Sequence, residues 1–130
     1  MTPLPTWMRA TLFATAAMNI LGAAAFLPAM QSLRDLGGFP NTDHPLYLST
    51  VGIFIFVLGL GYLGCAVLGQ ADRLFIAVGA IGKLAFFALL TGLWLGGDLP
   101  VKAPLAGAGD LMFGVLFAVW LLQTMPRRTP

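Results

Sequence analysis

Lys83 lies near the middle of an apolar stretch, Leu74 to Leu95, that carries no other charge. A helix crossing a bilayer needs about 20 apolar residues, and this stretch meets that length. An ammonium at that depth costs about 2.5–3.5 kcal/mol on insertion scales, so Lys83 should face protein or water rather than lipid. The following apolar stretch carries Asp110, the natural counter-charge. Two further polar groups, Asn19 and Tyr62, fall inside apolar stretches of their own. Intramembrane ionisable groups mark proton relays, ion paths or ligand counter-charges by default. The structural alternative is a Lys–Asp pair that only fixes helix register. Asn19 has the same alternative, as hydrogen-bonding glue between helices.

Small residues lie three and four positions from each polar group, on the same helix face. Thr15, Ala16, Gly22 and Ala23 flank Asn19; Gly59, Cys65 and Ala66 flank Tyr62. Gly79 and Ala80 accompany Lys83, and Ala106, Gly107 and Gly114 accompany Asp110. Small residues mark contacts between membrane helices because they let backbones approach. The polar groups are therefore expected on packing faces, with Gly59, Gly79, Gly82 and Gly114 at helix contacts. At 1.5 Å per residue, Asn19 and Lys83 both lie about 13–15 Å from one end of their helices. Asp110 sits about 9 Å further along the axis; a Lys side chain spans much of that, and a water or a shift of two residues in the helix boundaries would close the rest.

Hydrophobic residues make up 58% of the chain and charged residues 9%, with a mean hydropathy of +0.88. Soluble domains carry about 25% charged residues, which puts this chain in the membrane class. Four apolar blocks account for most of a single domain, residues 1–130, at about 8–27, 46–68, 74–95 and 105–125. Gly69 can close the second helix in a left-handed conformation and Asp72 can cap the third. Gly96 and Gly97 end the third, Pro104 fits the first turn of the fourth, and Pro126 stops it. The long connection from Gln31 to Pro45 holds the turn formers Gly37, Gly38, Pro40 and Asn41, and extends the first helix through Arg34. The fold expected is an all-α membrane protein, an antiparallel bundle of four transmembrane helices. The first block is read as an uncleaved helix; a signal peptide, with Ala23-Ala24-Ala25 as small residues, is the competing reading.

Arg9, Arg73, Arg127 and Arg128 fall on one side of this topology, and Arg34 and Lys102 on the other. That asymmetry predicts an inner-membrane protein with both termini cytoplasmic. Trp7, Trp94 and Trp120 fall near block ends, as interfacial aromatics do. Cys65 reads as a small buried hydrophobe and His44, beside Asp43 and Pro45, as a solvated or capping residue.

Several chemistries are excluded. One His and one Cys cannot build a zinc site, paired haem ligation or a disulfide. Ser32 and Ser49 have no organising His–Asp frame. Gly79-Ala80-Ile81-Gly82-Lys83 looks superficially like a phosphate loop, yet it lies inside an apolar span. The formal charge of +2 is too small and dispersed for nucleic acid. No cofactor, metal or catalytic residue is expected.

Gly59-Leu60-Gly61-Tyr62, the Gly79–Lys83 segment, Asp110, and Asn19 followed by Gly22 resemble recurring features of small bacterial four-helix membrane proteins of unassigned function. The resemblance covers most of the chain and departs at Gly109, where an Asn commonly precedes the Asp. It implies the four-helix fold and the polar quartet Asn19, Tyr62, Lys83 and Asp110, and no activity. Small multidrug exporters, quinone-linked disulfide enzymes and fluoride channels are similar in size or helix count. This chain lacks the first-helix Glu, the cysteine pairs and the Arg-bearing glycine motif of those three.

The function expected is that of a non-enzymatic membrane protein, an accessory subunit or a binder of a small amphipathic or lipid-like ligand around Lys83. The competing function is a minimal proton-coupled carrier using Lys83 and Asp110, with an enzyme in third place. Membrane lipids are the expected partners, with a larger membrane complex or a second copy as candidate protein partners.

Overall fold

A computed structural model describes residues 1–41 and 44–127. The described residues form helices, one pair of two-residue strands and the turns between them. Its elements are β1 (Thr2–Pro3), α1 (Thr6–Ala25), α2 (Gln31–Leu36), α3 (Pro45–Leu68), β2 (Gln70–Ala71), α4 (Arg73–Leu95), α5 (Lys102–Ala106) and α6 (Ala108–Gln123). Two helices, α3 and α4, are long and apolar enough to cross a membrane. α1 is long enough but carries Arg9, Thr11, Thr15 and Asn19, and the last three of these are buried.

The turns follow from local chemistry. Gly69 ends α3 with a left-handed φ of 70°, a conformation glycine adopts without a Cβ penalty. Asp72 Oδ1 then accepts from the backbone N–H groups of Leu74 and Phe75, at 2.8 and 3.2 Å, and starts α4. β1 pairs antiparallel with β2, Thr2 opposite Ala71, so the N-terminal segment is laid across this tight connection. His44 caps α3, its Nδ1 accepting from the Leu46 N–H at 3.1 Å.

Two expectations about the helices are corrected. The first helix does not run on through Arg34. It stops at Ala25, and α2 is a separate short helix beyond a turn. The Arg34 guanidinium reaches back instead and donates to the carbonyls of Ala25, Leu27 and Pro28, closing the end of α1. The fourth block is not one helix. Pro104 falls inside α5, and the chain breaks at Gly107 before α6 begins. A Cβ at Gly107 would lie 2.7 Å from Leu90 Cδ1, so this glycine lets the break press against α4.

The long helices pack as neighbours in the order α3, α1, α6, α4. α3 and α4 touch through side chains rather than backbone, so the ring of helices is open between them. Near the start of α1 the interior is filled. Met8, Leu12, Tyr62, Ala66, Ile76, Ala80, Phe117 and Trp120 form one buried cluster there. Trp120, expected near an interface, is fully buried in that cluster, with the Arg73 guanidinium 6.0 Å from its ring centre. Toward the other end the interior is a cleft.

Glycines decide where helices approach. A Cβ at Gly59 would lie 2.9 Å from Asn19 Cβ, and one at Gly114 would lie 2.9 Å from Leu84. Gly79 faces the Tyr62 hydroxyl, where a Cβ would come within 2.5 Å. Gly82, expected at a helix contact, has nothing within 4 Å of its would-be Cβ. Gly82 and Lys83 are adjacent in sequence and so point about 100° apart around the helix, which keeps them off one packing face. Gly59→Leu should therefore lower the melting temperature in detergent, since overpacking costs about 1–3 kcal/mol. Gly82→Leu should leave it nearly unchanged. Equal losses in both variants would contradict this assignment of faces.

Candidate functional site

Four helices meet at Lys83. Its ammonium donates to Asp110 Oδ1 at 3.0 Å and to Asn19 Oδ1 at 3.0 Å. Asn19 in turn donates through Nδ2 to the backbone carbonyl of Ile55 at 3.1 Å. The result is a continuous line of three hydrogen bonds, Ile55 on α3, Asn19 on α1, Lys83 on α4 and Asp110 on α6. Lys83 and Asn19 are 6% and 7% exposed. The Asp110 side chain, at 21%, is the more open member of the ion pair.

Local sequence explains how each group reaches its partner. Gly59 lies one turn from Ile55 on α3 and admits Asn19 close enough to use that carbonyl. Gly114, one turn after Asp110, brings α6 against α4, with Lys83 Cβ 3.4 Å from the position a Cβ would take. Asp110 falls in the first turn of α6, where the helix dipole favours a carboxylate. The ion pair is direct, with no bridging water needed across the axial gap expected for one continuous fourth helix. Asp110 lies two residues into α6, directly after the break at Gly107.

Tyr62 enters the site by its ring. The Lys83 ammonium lies 5.5 Å from the ring centre, within cation–π range. The same ring packs on Phe75 and Phe117 at centroid distances of 5.3 and 5.4 Å. Tyr62 is thus the lid of the packed end and the floor of the cleft.

The cleft has a volume of about 380 Å³. Val51, Ile55 and Leu58 of α3 form one wall, Val78, Gly82 and Phe86 of α4 the other. Asn19, Lys83 and Asp110 supply its polar surface. Phe26 and Phe39, rings 6.3 Å apart, line its far end. Val51, Leu58, Val78 and Phe86 are themselves exposed, so the cleft opens sideways between α3 and α4. Pockets of this size, apolar with a few convergent polar groups, suit small ligands.

Several contributors have no signature in side-chain chemistry. The Ile55 carbonyl is a backbone group, and any residue there would offer it. Arg9, read only as a flanking charge, donates from Nε to the Ala66 carbonyl at 2.7 Å and from Nη2 to that of Val67 at 3.1 Å. Arg73 does the same at the end of α6, through the Leu121 carbonyl and the Thr124 hydroxyl. With Arg34 on α1, three guanidiniums each close the negative end of a helix. Among the described residues no cluster of His, Cys, Asp or Glu is placed to hold a metal ion.

The ion pair yields a sharp thermodynamic prediction. Lys83→Met or Asp110→Asn alone strands one buried charge and should cost about 3–5 kcal/mol. The double variant leaves no isolated charge and should recover much of that loss. Denaturation of all four proteins gives the coupling energy. Single losses that simply add would mean the two residues act independently.

No family model, curated protein or solved structure matches this chain.

Proposed function

We propose that this protein is an integral membrane four-helix bundle that holds a small amphipathic ligand in the cleft beside Lys83. It acts as a non-enzymatic binder or accessory subunit. Both termini are cytoplasmic, and membrane lipids are its surroundings. The observation that carries the reading is the cleft itself: apolar walls, a lateral opening and one buried polar end.

The membrane part is supported by what α3 and α4 turn outward. Only 28% of the most apolar window of each helix is buried. Ile53, Phe54, Val57 and Leu60 of α3 and Leu74, Ile81 and Leu89 of α4 are all exposed. A soluble monomer rarely shows contiguous apolar surface on that scale. α6 alone, at 16 residues, reaches about 24 Å, and α5 completes the fourth crossing. The irregular backbone at Gly107 is buried against α4, the condition under which a break is tolerated at membrane depth.

Orientation rests on the basic residues. Among the described residues, Arg9, Arg73 and Arg127 lie toward the end where α1 starts and α6 stops; Arg34 and Lys102 lie toward the other. Arg128 and Asp43 lie outside the described residues. Since Arg9 and Arg73 also close helix ends, the charge bias and the fold use the same side chains.

Binding is favoured over carriage by the contrast between the two ends. A proton-coupled carrier needs water to reach Lys83 from both sides in alternate states. Between Lys83 and the proposed cytoplasmic end stands the buried cluster of Met8, Leu12, Tyr62, Ile76, Phe117 and Trp120.

Two measurements test this reading. In a Cys65→Ala background, Met125→Cys should react with an impermeant thiol reagent only from the cytoplasmic side, and Leu36→Cys only from the opposite side. The reverse pattern would invert the topology. Native mass spectrometry of protein taken gently from membranes should find a small lipid-like molecule retained, and lost in Gly82→Leu, which fills the cleft without disturbing packing. Equal retention in both proteins would place the ligand elsewhere.

A further inference from the structure

The groups left free at the polar end of the cleft specify the head of the ligand, on the reading that the cleft is a binding site. Lys83 has three N–H donors, and Asn19 and Asp110 take two of them. Asp110 uses one oxygen for Lys83. Its second oxygen receives no donor among the described residues and is not enclosed. One donor and one acceptor therefore stand side by side at the cleft surface.

The charge count restricts what can satisfy them. Lys83 and Asp110 neutralise each other, and the cleft walls supply no further charge. An anionic head would stand beside Asp110, and a cationic head would leave one net positive charge in an apolar cleft. Either costs far more than a neutral head, because a charge in a low-dielectric setting needs its own partner. Among neutral groups, a ketone, ester or ether oxygen can only accept. It would satisfy Lys83 and leave the Asp110 oxygen covered without a donor, which is expensive. A hydroxyl donates and accepts at once.

We propose that the cleft binds a neutral, hydroxyl-headed amphipath, a lipid-like alcohol whose O–H donates to Asp110 and whose oxygen accepts from Lys83. The apolar tail lies between Val51, Ile55 and Leu58 on one side and Val78 and Phe86 on the other. At about 30 Å³ per non-hydrogen atom, the cleft encloses roughly a dozen such atoms. A longer tail leaves through the opening between α3 and α4, where it meets lipid. The same chemistry is offered by a free medium-chain alcohol and by a hydroxyl-bearing membrane lipid.

The test uses the full chain in zwitterionic lipid nanodiscs, with the Ile55 δ1-methyl as an NMR reporter. Four ten-carbon probes are titrated at neutral pH: 1-decanol, 2-decanone, decanoate and decylammonium. Decanol should shift the Ile55 signal saturably and bind at least about tenfold tighter than the other three, the worth of one hydrogen bond to a charged group. The effect should vanish in Gly82→Leu, and decanol should lose its advantage over decanone in Lys83→Met/Asp110→Asn. Dioleoylglycerol placed in the discs should displace decanol if a membrane lipid is the natural source; undiminished decanol binding points to a free alcohol. Tighter binding of decanoate or decylammonium would overturn the neutral head while leaving the cleft a binding site. Equal binding of decanone would overturn donation to Asp110. Shifts that persist in Gly82→Leu, or no shift with any probe, would remove the binding reading itself.

Discussion

Three hydrogen bonds hold the four long helices to one point. Ile55, Asn19, Lys83 and Asp110 each come from a different helix, and no two of them are near in sequence. The cost of placing an ammonium and a carboxylate away from water is large, and pairing alone recovers only part of it. The amide of Asn19 adds the missing acceptor for Lys83 and passes the connection to α3. At the packed end α3 and α4 are held by the buried cluster and the Tyr62–Phe75 contact; at the level of Lys83 the polar line is what connects them.

The bundle is divided at this level. On one side of Tyr62 the interior is closed by aromatic and aliphatic side chains, and Arg9 and Arg73 finish the ends of α3 and α6 there, while Arg34 closes the end of α1 on the opposite side. On the other side the helices part and the wall residues face space. The packed half supplies stability, and the parted half supplies room. Gly79 lies at the boundary, since only glycine leaves space there for the Tyr62 hydroxyl. The packed cluster lies directly beneath the polar groups of the cleft.

What could be read from residues alone follows from scarcity. Asn19, Lys83 and Asp110 stand out because apolar stretches hold so few polar groups, and the structure brings these three together. Asp72 and Gly69 were legible because capping and left-handed turns have narrow residue requirements. The cleft was not legible, since a small residue on a helix face is compatible with close packing and with open space; Gly59 and Gly82 have the same side chain and opposite surroundings. The arginines carried two meanings, loop charge and helix closure, and sequence displays only the first. Pro104 fits the start of a long helix as well as the interior of a short one, so the break at Gly107 had no separate signal. Of the four blocks expected to span, two helices among the described residues meet the requirement of length and apolarity; α1 buries its polar residues and α6 is short.

The central claim is that the Lys83 ammonium and the Asp110 carboxylate touch inside the bundle, which the proposed function places in lipid. The most direct measurement is solid-state NMR in bilayers, recoupling the dipolar interaction between 15N at lysine Nζ and 13C at aspartate Cγ, with Lys102→Arg leaving Lys83 as the single lysine. The account predicts strong, rapid dephasing of the Lys83 signal that disappears in Asp110→Asn. Absence of dephasing in the parent protein, with the Lys83 signal exchanging with bulk water, would contradict it.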